Sequence, residues 1–262
     1  MRTPARIGRF HLAGIWALYR WSVVRILRFW MEALVGPVLS ALLFLVVFSV
    51  ALGETQVLSG GITFTQFLAP GLAVFTLANA SFANAAFPLV HDKLQGSIQD
   101  FQASPLAGWE LGAIYTLTGA TAGLLVGGLT LFAAAVFVEL PIASPLLLLV
   151  FSLGTALVFA LLGSIAGLWA EKWDQLAVVN TFLMLPLAFL SGAFFTSDSL
   201  PAIGRTLIAF NPVYYLIDAT RASVLGIADA PLLLASAVLL VLLVAGTLAV
   251  WRLFTVGYKI KA

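Results

Sequence analysis

The chain has 262 residues, of which 62% are hydrophobic and 9% charged, with a formal net charge of +2. A water-soluble domain carries about 25% charged residues, so this composition excludes an ordinary soluble protein and predicts a chain embedded in lipid. The basic residues cluster at the edges of apolar runs, which indicates membrane topology rather than nucleic-acid binding. The sequence has no cysteine, which excludes disulfides and thiolate chemistry.

Six stretches of at least 21 residues contain no Asp, Glu, Lys or Arg, and the first is too long for a cleaved signal sequence. A helix that crosses a hydrocarbon core needs about 20 apolar residues, because its backbone groups must be satisfied internally. We therefore predict an all-α membrane protein with a single domain, 1–262. Its six transmembrane helices are expected at 33–53, 66–90, 110–138, 145–170, 175–195 and 231–253.

The basic and tryptophan residues predict the orientation. Eleven of the 13 Lys and Arg residues, and all seven tryptophans, fall on one side of a six-span arrangement. Only Arg205 and Arg221 fall on the other side. The positive-inside rule makes the basic side cytoplasmic, with both termini inside, and tryptophan favours the same membrane edge.

A helix that lies in the membrane interface is predicted at 9–31, before the first span. Its polar residues Ser22, Arg25, Arg28 and Glu32 recur on one helix face, while Trp, Leu, Ile and Phe fill the remainder. This helix is either a basic anchor that sets orientation or a strut that also touches a cytoplasmic partner.

The gap between the second and third spans predicts a short amphipathic helix at 92–104. Leu94, Ile98 and Phe101 recur at i, i+4 and i+7, and Pro105 ends the pattern. Such a helix either rests on the membrane surface or docks into a soluble subunit. The polar residues that could make the docking contact are Asp92, Lys93, Gln95, Gln99, Asp100, Gln102 and Ser104.

Small residues and prolines mark the middle spans. Glycines recur every four residues in the third span (Gly119, Gly123, Gly127) and at the same spacing in the fourth (Gly163, Gly167), which predicts close helix packing. Pro186 removes one backbone hydrogen bond from the fifth span and is expected to bend it.

The outer connection, 196–229, is long and still hydrophobic. We expect two short helices that dip partway back into the membrane, broken at Asn211-Pro212, because a proline disfavours helix for the preceding residue. A cap or gate at the exit of a pathway is the natural role of such a hairpin.

Three motifs, in chain order, resemble those of type-2 ABC-transporter permeases, and the resemblance covers roughly 16–253. The first is Arg28-Phe29-Trp30 with Pro37 and Phe48 ahead of Gly53. The second is Gly96-Ser97-Ile98-Gln99 with Ser104-Pro105. The third is Ser191-Gly192-Ala193-Phe194-Phe195, Leu200-Pro201, Asn211-Pro212, Arg221 and Gly226. Gln99 and Thr196 depart from the usual Glu and Pro of the family.

The resemblance implies a type V exporter fold in the bacterial inner membrane, with a cytoplasmic coupling helix and an outer re-entrant helical hairpin. Two such subunits, expected to be identical, would form the pathway, and two separate ABC ATPase subunits would bind ATP and Mg. Asn211, Pro212 and Arg221 would form the outer gate motif. Candidate pathway residues in the second and fifth spans are Phe75, Asn79, Phe82, Phe182, Phe189 and Phe194.

The motifs that the sequence lacks agree with this division between a membrane subunit and separate ATPase subunits. The chain has no G-x-x-x-x-G-K-[ST] motif for ATP and no H-E-x-x-H motif for zinc, so we expect a transport subunit without a catalytic residue, metal or cofactor of its own. Aromatic candidates suit a large amphipathic cargo such as a drug, lipid or glycan. One alternative is a secondary carrier or channel for a neutral solute, using Asn79, Ser81, Asn84 and Asn180, although charge-free spans disfavour ion coupling. An intramembrane enzyme is the other alternative, and it lacks recognisable catalytic equipment.

Overall fold

The computed structural model describes residues 12–52, 61–98, 106–195 and 200–259, and this part of the chain is helical, which confirms the all-α class. Two short π-helical segments, Met31–Val35 and Asn180–Met184, interrupt the α-helices. The α-helices are α1 (Leu12–Arg28), α2 (Gly36–Leu52), α3 (Phe64–Leu94), α4 (Gly108–Phe137), α5 (Pro145–Trp169), α6 (Trp173–Val179), α7 (Leu185–Phe189), α8 (Ala202–Phe210), α9 (Pro212–Leu225) and α10 (Leu232–Val256).

Five helices of the described ranges are long and apolar enough to cross a membrane, where the sequence predicts six. They are the helix Met31–Ala51, which includes most of α2, and α3, α4, α5 and α10. The predicted fifth span is helical from Trp173 to Phe189, as α6, a π-helical segment and α7 in succession, and is shorter than these five helices. Pro186 explains the π-helical segment, because its ring clashes with the carbonyl four residues earlier and forces a wider turn there.

Helix α3 is the centre of the bundle, with α4 and α5 packed closely against it. A Cβ atom added to Gly119 of α4 would lie 2.5 Å from the carbonyl oxygen of Ser81, and one added to Gly167 of α5 would lie 2.7 Å from that of Ala86. The glycine spacing therefore predicts close packing correctly, and α3 is the common partner of both glycine-bearing helices.

The two ends of α3 have clear local causes. Thr63 and Gln66 form a reciprocal capping box at its start, with hydrogen bonds of 2.9 and 3.2 Å. At its other end Gly96 adopts a φ of +75°, which stops the helix after Leu94. Residues 92–94 therefore belong to α3, and the amphipathic helix predicted to begin at residue 92 does not begin there.

The outer connection contains the two predicted helices. α8 ends at Phe210 and α9 begins at Pro212, so the break at Asn211-Pro212 is confirmed. α9 is buried along most of its length against α3 and α5, and it ends at Gly226, whose φ is +78°. This packing places the predicted outer gate motif at the end of the bundle that lies opposite α1.

Candidate functional site

A buried polar cluster joins three helices at the end of the bundle that carries α1. The side chain of Asp92 accepts a 2.6 Å hydrogen bond from the Tyr115 hydroxyl of α4. A guanidinium nitrogen of Arg25, on α1, lies 3.7 Å from the other carboxylate oxygen of Asp92, and the ring of His91 lies 3.4 Å from that oxygen. Asp92 is only 4% exposed, so it joins α1, α3 and α4 inside the subunit.

The orientation of α1 explains this cluster. Ser22 and the Arg25 side chain lie towards α3 and α4, while Trp16 and Trp21 are 63% and 52% exposed. Tyr19 adds a 2.7 Å hydrogen bond to Thr121 of α4. Of the predicted polar face, Ser22 and Arg25 therefore pack against the bundle, whereas Arg28 and Glu32 are exposed, and the position of this helix in the membrane interface stays a prediction.

Lys93, in the last turn of α3, lies beside the C-terminal end of α5 and compensates the partial negative charge of that helix end. Its ammonium group donates hydrogen bonds to the carbonyl oxygens of Gly167, Leu168 and Ala170, at 3.1, 2.7 and 2.5 Å. The last carbonyls of a helix lack intrahelical partners and carry partial negative charge, so a cation is favourable there. Lys93 is therefore bonded within the subunit, and Asp92 is buried within it. Both findings differ from the prediction that these two residues contact the ATPase.

The segment that follows α10 also lies against the C-terminal end of α5. The ammonium group of Lys259 lies 2.8 Å from the Glu171 carboxylate and donates to the carbonyl oxygen of Trp169 at 3.2 Å. Their hydrogen bond lowers the pKa of Glu171 and raises the pKa of Lys259. This contact ties the segment after α10 to the connection between α5 and α6.

The other predicted ATPase contacts lie beyond the end of α3. Gln95 is exposed at that end. Gln99, Asp100, Gln102 and Ser104 lie outside the described residues, so their docking role stays a prediction.

The predicted pathway residues occupy three different environments. The Phe194 ring lies 5.7 Å from the rings of Phe75 and of Phe189, so these three form one aromatic cluster. Phe182 is 76% exposed, whereas Phe82 is 2% exposed and packs inside the subunit. The half-buried Asn79 amide donates to a carbonyl of its own helix at 2.9 Å. A pathway role stays a prediction for all six, and the burial of Phe82 gives it a packing role within one subunit.

The predicted gate motif holds α7 and the chain segment that follows it. The Asn211 amide donates to the carbonyl oxygens of Leu187 and Leu190 at 2.9 and 2.8 Å. Its side-chain oxygen also accepts from the backbone N–H of Val213 at 3.0 Å, which caps α9, and Pro212 occupies the first turn of that helix.

Arg221 makes the second connection from α9 to the same segment. Its guanidinium donates to the carbonyl oxygen of Gly192 at 2.6 Å and lies 3.7 Å from the centre of the Phe67 ring. Gly192 has a φ of +70°, which a glycine adopts without strain. Arg221 is only 3% exposed, and its charge is compensated by a carboxylate oxygen of the equally buried Asp218, 3.9 Å away, together with the carbonyl dipole and the aromatic face.

Two important residues are absent from the sequence-based predictions. Tyr115 lies within an uncharged stretch and belongs to no motif. Its partner Asp92 continues the spacing of the buried Ser81, Ala85 and Leu89, and this spacing could have placed Asp92 inside the bundle. Asp218 accepts backbone hydrogen bonds from Asp229 and Ala230, which fixes the entrance to α10. Among the described residues no three His, Asp or Glu side chains come together as a metal site would need.

Comparisons with known proteins identify the type of molecule that has this geometry. The family model described as ABC-2 type transporter matches residues 13–225. The inner membrane transport permease YadH of Escherichia coli (strain K12) is 31% identical over 251 residues, covering 96% of this chain and 97% of that protein. Nodulation protein J of Rhizobium leguminosarum bv. trifolii is 29% identical over 207 residues, covering 75% of each chain.

Proposed function

Because the chain belongs to the ABC-2 type transporter family and is a multi-pass inner-membrane permease, we propose that it forms half of the pathway of an ATP-driven exporter. A second, identical copy supplies the other half, and two separate ABC ATPase subunits hydrolyse ATP with Mg. Both termini and the end of α3 face the cytoplasm. The observation that carries this proposal is the full-length similarity to a transport permease.

The buried cluster around Asp92 gives the proposed coupling a physical route. The segment 95–104 follows α3 directly and is the proposed ATPase contact. Because Asp92 holds Tyr115 of α4 and Arg25 of α1, a displacement at the end of α3 moves three helices together. A rigid connection of this kind transmits motion better than an exposed loop could.

The proposed pathway runs between the two subunits, along α3 and the helical segment that covers 173–189. That helical segment completes six membrane crossings, with the outer hairpin of α8 and α9 as a re-entrant gate. The aromatic cluster of Phe75, Phe189 and Phe194 lies below this gate. An aromatic wall with few polar groups suits a large amphipathic cargo, in the class of drugs, lipids or glycans.

The outer gate is proposed to work through α9. Asn211 and Arg221 fix one backbone carbonyl of α7, at Leu187, and two of the segment after it, at Leu190 and Gly192. A tilt of α9 would therefore move that segment and the neighbouring Phe194. Opening of the exit would follow from the same displacement that begins at the end of α3.

Transport in inverted membrane vesicles tests the proposal. Vesicles that contain the chain and the ABC ATPase that copurifies with it should take up fluorescent amphipathic probes only when ATP is present. Replacing the P-loop lysine of the ATPase by Ala should abolish uptake. A secondary carrier would behave differently, because a protonophore would stop uptake and removal of ATP would leave it intact.

A further inference from the structure

An apolar cavity of about 380 Å³ lies between α3, α4, α5 and α9, apart from the proposed pathway and from the buried cluster around Asp92. We call it the α9 cavity. Ala73 and Leu77 of α3, Gly128 of α4, Leu149 of α5 and Val224 of α9 contribute to its walls. Of the described residues that line it, only Ser152 and Thr220 are polar, and the Thr220 hydroxyl donates to a carbonyl of its own helix at 2.8 Å.

The cavity exists because only one side of α4 packs against α3 at the level of Gly127 and Gly128. A Cβ atom on Gly127 would lie 2.6 Å from the Cβ of Leu77, so this side of α4 still touches α3. At Gly128 an added Cβ would find no atom within 4 Å. Gly128 therefore borders open space, and the side chains around it are too small or too distant to fill it.

The backbone at the mouth of the cavity is strained. Ile142 has a φ of +44°, a conformation that is unfavourable for a β-branched residue. The two residues that follow it are held to the end of α9 by backbone hydrogen bonds, from Ala143 to Val224 at 3.0 Å and from Ser144 to Ser223 at 2.8 Å. Such strain persists only where the surrounding structure fixes it, and it is common at ligand sites.

The surroundings of the mouth define the ligand. Leu146 and Leu149 of α5 are 71% and 63% exposed on a helix that is apolar enough to span the membrane, so the mouth opens onto the surface that faces lipid. An apolar cavity of about 150 Å³ holds a benzene ring, so 380 Å³ has room by proportion for roughly fifteen carbon atoms. That volume matches one acyl chain, and an empty space would forfeit dispersion contacts on all its walls.

We propose that one acyl chain of a membrane lipid occupies the α9 cavity as a fixed component of the subunit. The acyl chain would contact Thr220 and Val224 of α9 and would support the helix that carries Arg221. This inference does not depend on the identity of the cargo or on the ATPase.

Photo-crosslinking tests the proposal on the full chain. The purified protein is reconstituted into vesicles of phosphatidylcholine and phosphatidylglycerol that contain a trace of phospholipid with a diazirine on one acyl chain. Adducts are mapped by mass spectrometry after illumination. We expect them to concentrate on the cavity walls at 124–131 and 145–152, and to resist dilution by unlabelled lipid.

Variants of α4 provide the matched controls. Gly128→Leu fills the cavity and should abolish the concentrated adducts, whereas Gly128→Ala should preserve them. Ala135→Leu adds the same side chain at an exposed position of α4 outside the cavity and should also preserve them. Adducts spread evenly over the exposed face of the wild-type protein, or labelling of the walls that survives in Gly128→Leu, would overturn the proposal. The wild-type pattern decides the matter even if Gly128→Leu fails to fold.

Discussion

The hydroxyl of Tyr115 lies 2.6 Å from a carboxylate oxygen of Asp92, and this hydrogen bond fastens α4 to the end of α3 inside the bundle. Asp92 is buried, so its charge depends on Tyr115, Arg25 and the neighbouring His91 for compensation. A carboxylate taken out of water is costly unless such partners surround it. The cluster therefore fixes the geometry from which the proposed coupling segment extends.

Tyr115→Phe tests this connection with almost no change in volume. A hydrogen bond to a charged group contributes about 1.5 to 3 kcal/mol, so we expect the free energy of unfolding in detergent to fall by an amount in that range. Tyr258→Phe, at a residue 41% exposed near the same end, is the matched control and should leave stability unchanged. Equal stability of the two variants would show that the buried hydrogen bond contributes nothing.

Lys93→Met tests the interaction of a cation with the end of α5. The variant keeps the length of the side chain but removes the three hydrogen bonds to backbone carbonyls. Because a partly buried cation at a helix C-terminus contributes up to about 2 kcal/mol, a lower melting temperature is expected. Lys172→Met, at an exposed position, should melt like the wild type, and a similar loss in both variants would count against a specific role for Lys93.

Gly163→Ala tests the close packing of α5 on α3. An added Cβ would collide with the backbone of Phe82, so the helices must separate, at a cost of about 1 to 3 kcal/mol. Gly128→Ala, where the added methyl group meets open space, should be neutral or slightly stabilising. Thermal unfolding of both variants in one detergent gives the comparison, and the reverse order would refute the packing argument.

Arg221→Gln tests the connection between α9 and the segment after α7. We expect faster hydrogen exchange at 190–195, because the bond to the Gly192 carbonyl and the contact with Phe67 are weakened. Transport should decline while attachment of the ATPase persists. Arg205→Gln is the control, because Arg205 is on an exposed helix of the same hairpin and bonds only to the nearby Leu200 carbonyl among the contacts described. Loss of ATPase attachment in Arg221→Gln would contradict a role confined to the outer gate.

Phe189→Ala and Phe82→Ala separate a pathway role from a packing role. Phe189 is 55% exposed beside Phe194, so its loss should alter the preference among amphipathic probes and leave assembly intact. Phe82 is 2% exposed, and its truncation should destabilise the fold by about 3 to 5 kcal/mol. Vesicle uptake and detergent melting measure the two effects. Unchanged probe preference in Phe189→Ala would remove it from the proposed pathway.

Much of the fold could be predicted because the constraint imposed by lipid is strong. Long runs without charge have to be helices, and the prolines and glycines mark where these helices bend, pack or end. The break at Asn211-Pro212 and the close packing at Gly119 and Gly167 were both predictable for this reason. A local effect of Pro186 was also foreseeable, although not that it takes the form of a π-helical segment between α6 and α7.

The polar contacts could not be predicted, because they depend on which helices become neighbours. Asp92 and Lys93 look like solvated residues at the start of a connection, yet α3 continues past them and turns both inward. Arg25 likewise reads as a basic anchor at the membrane edge, and only the packing of α1 shows that it faces a carboxylate. Tertiary contacts decide these cases, and sequence spacing does not.

Affinity purification of the tagged chain from its native membrane, followed by measurement of ATP hydrolysis, tests directly whether an ABC ATPase drives this permease. We expect a complex with equal numbers of permease and ABC ATPase subunits, which hydrolyses ATP at a rate that falls when Gln99 or Asp100 is replaced by Ala. The chain purified alone should hydrolyse none. A chain that purifies without an ATPase and still drives uphill uptake of a probe in vesicles would show that the permease is not driven by an ABC ATPase.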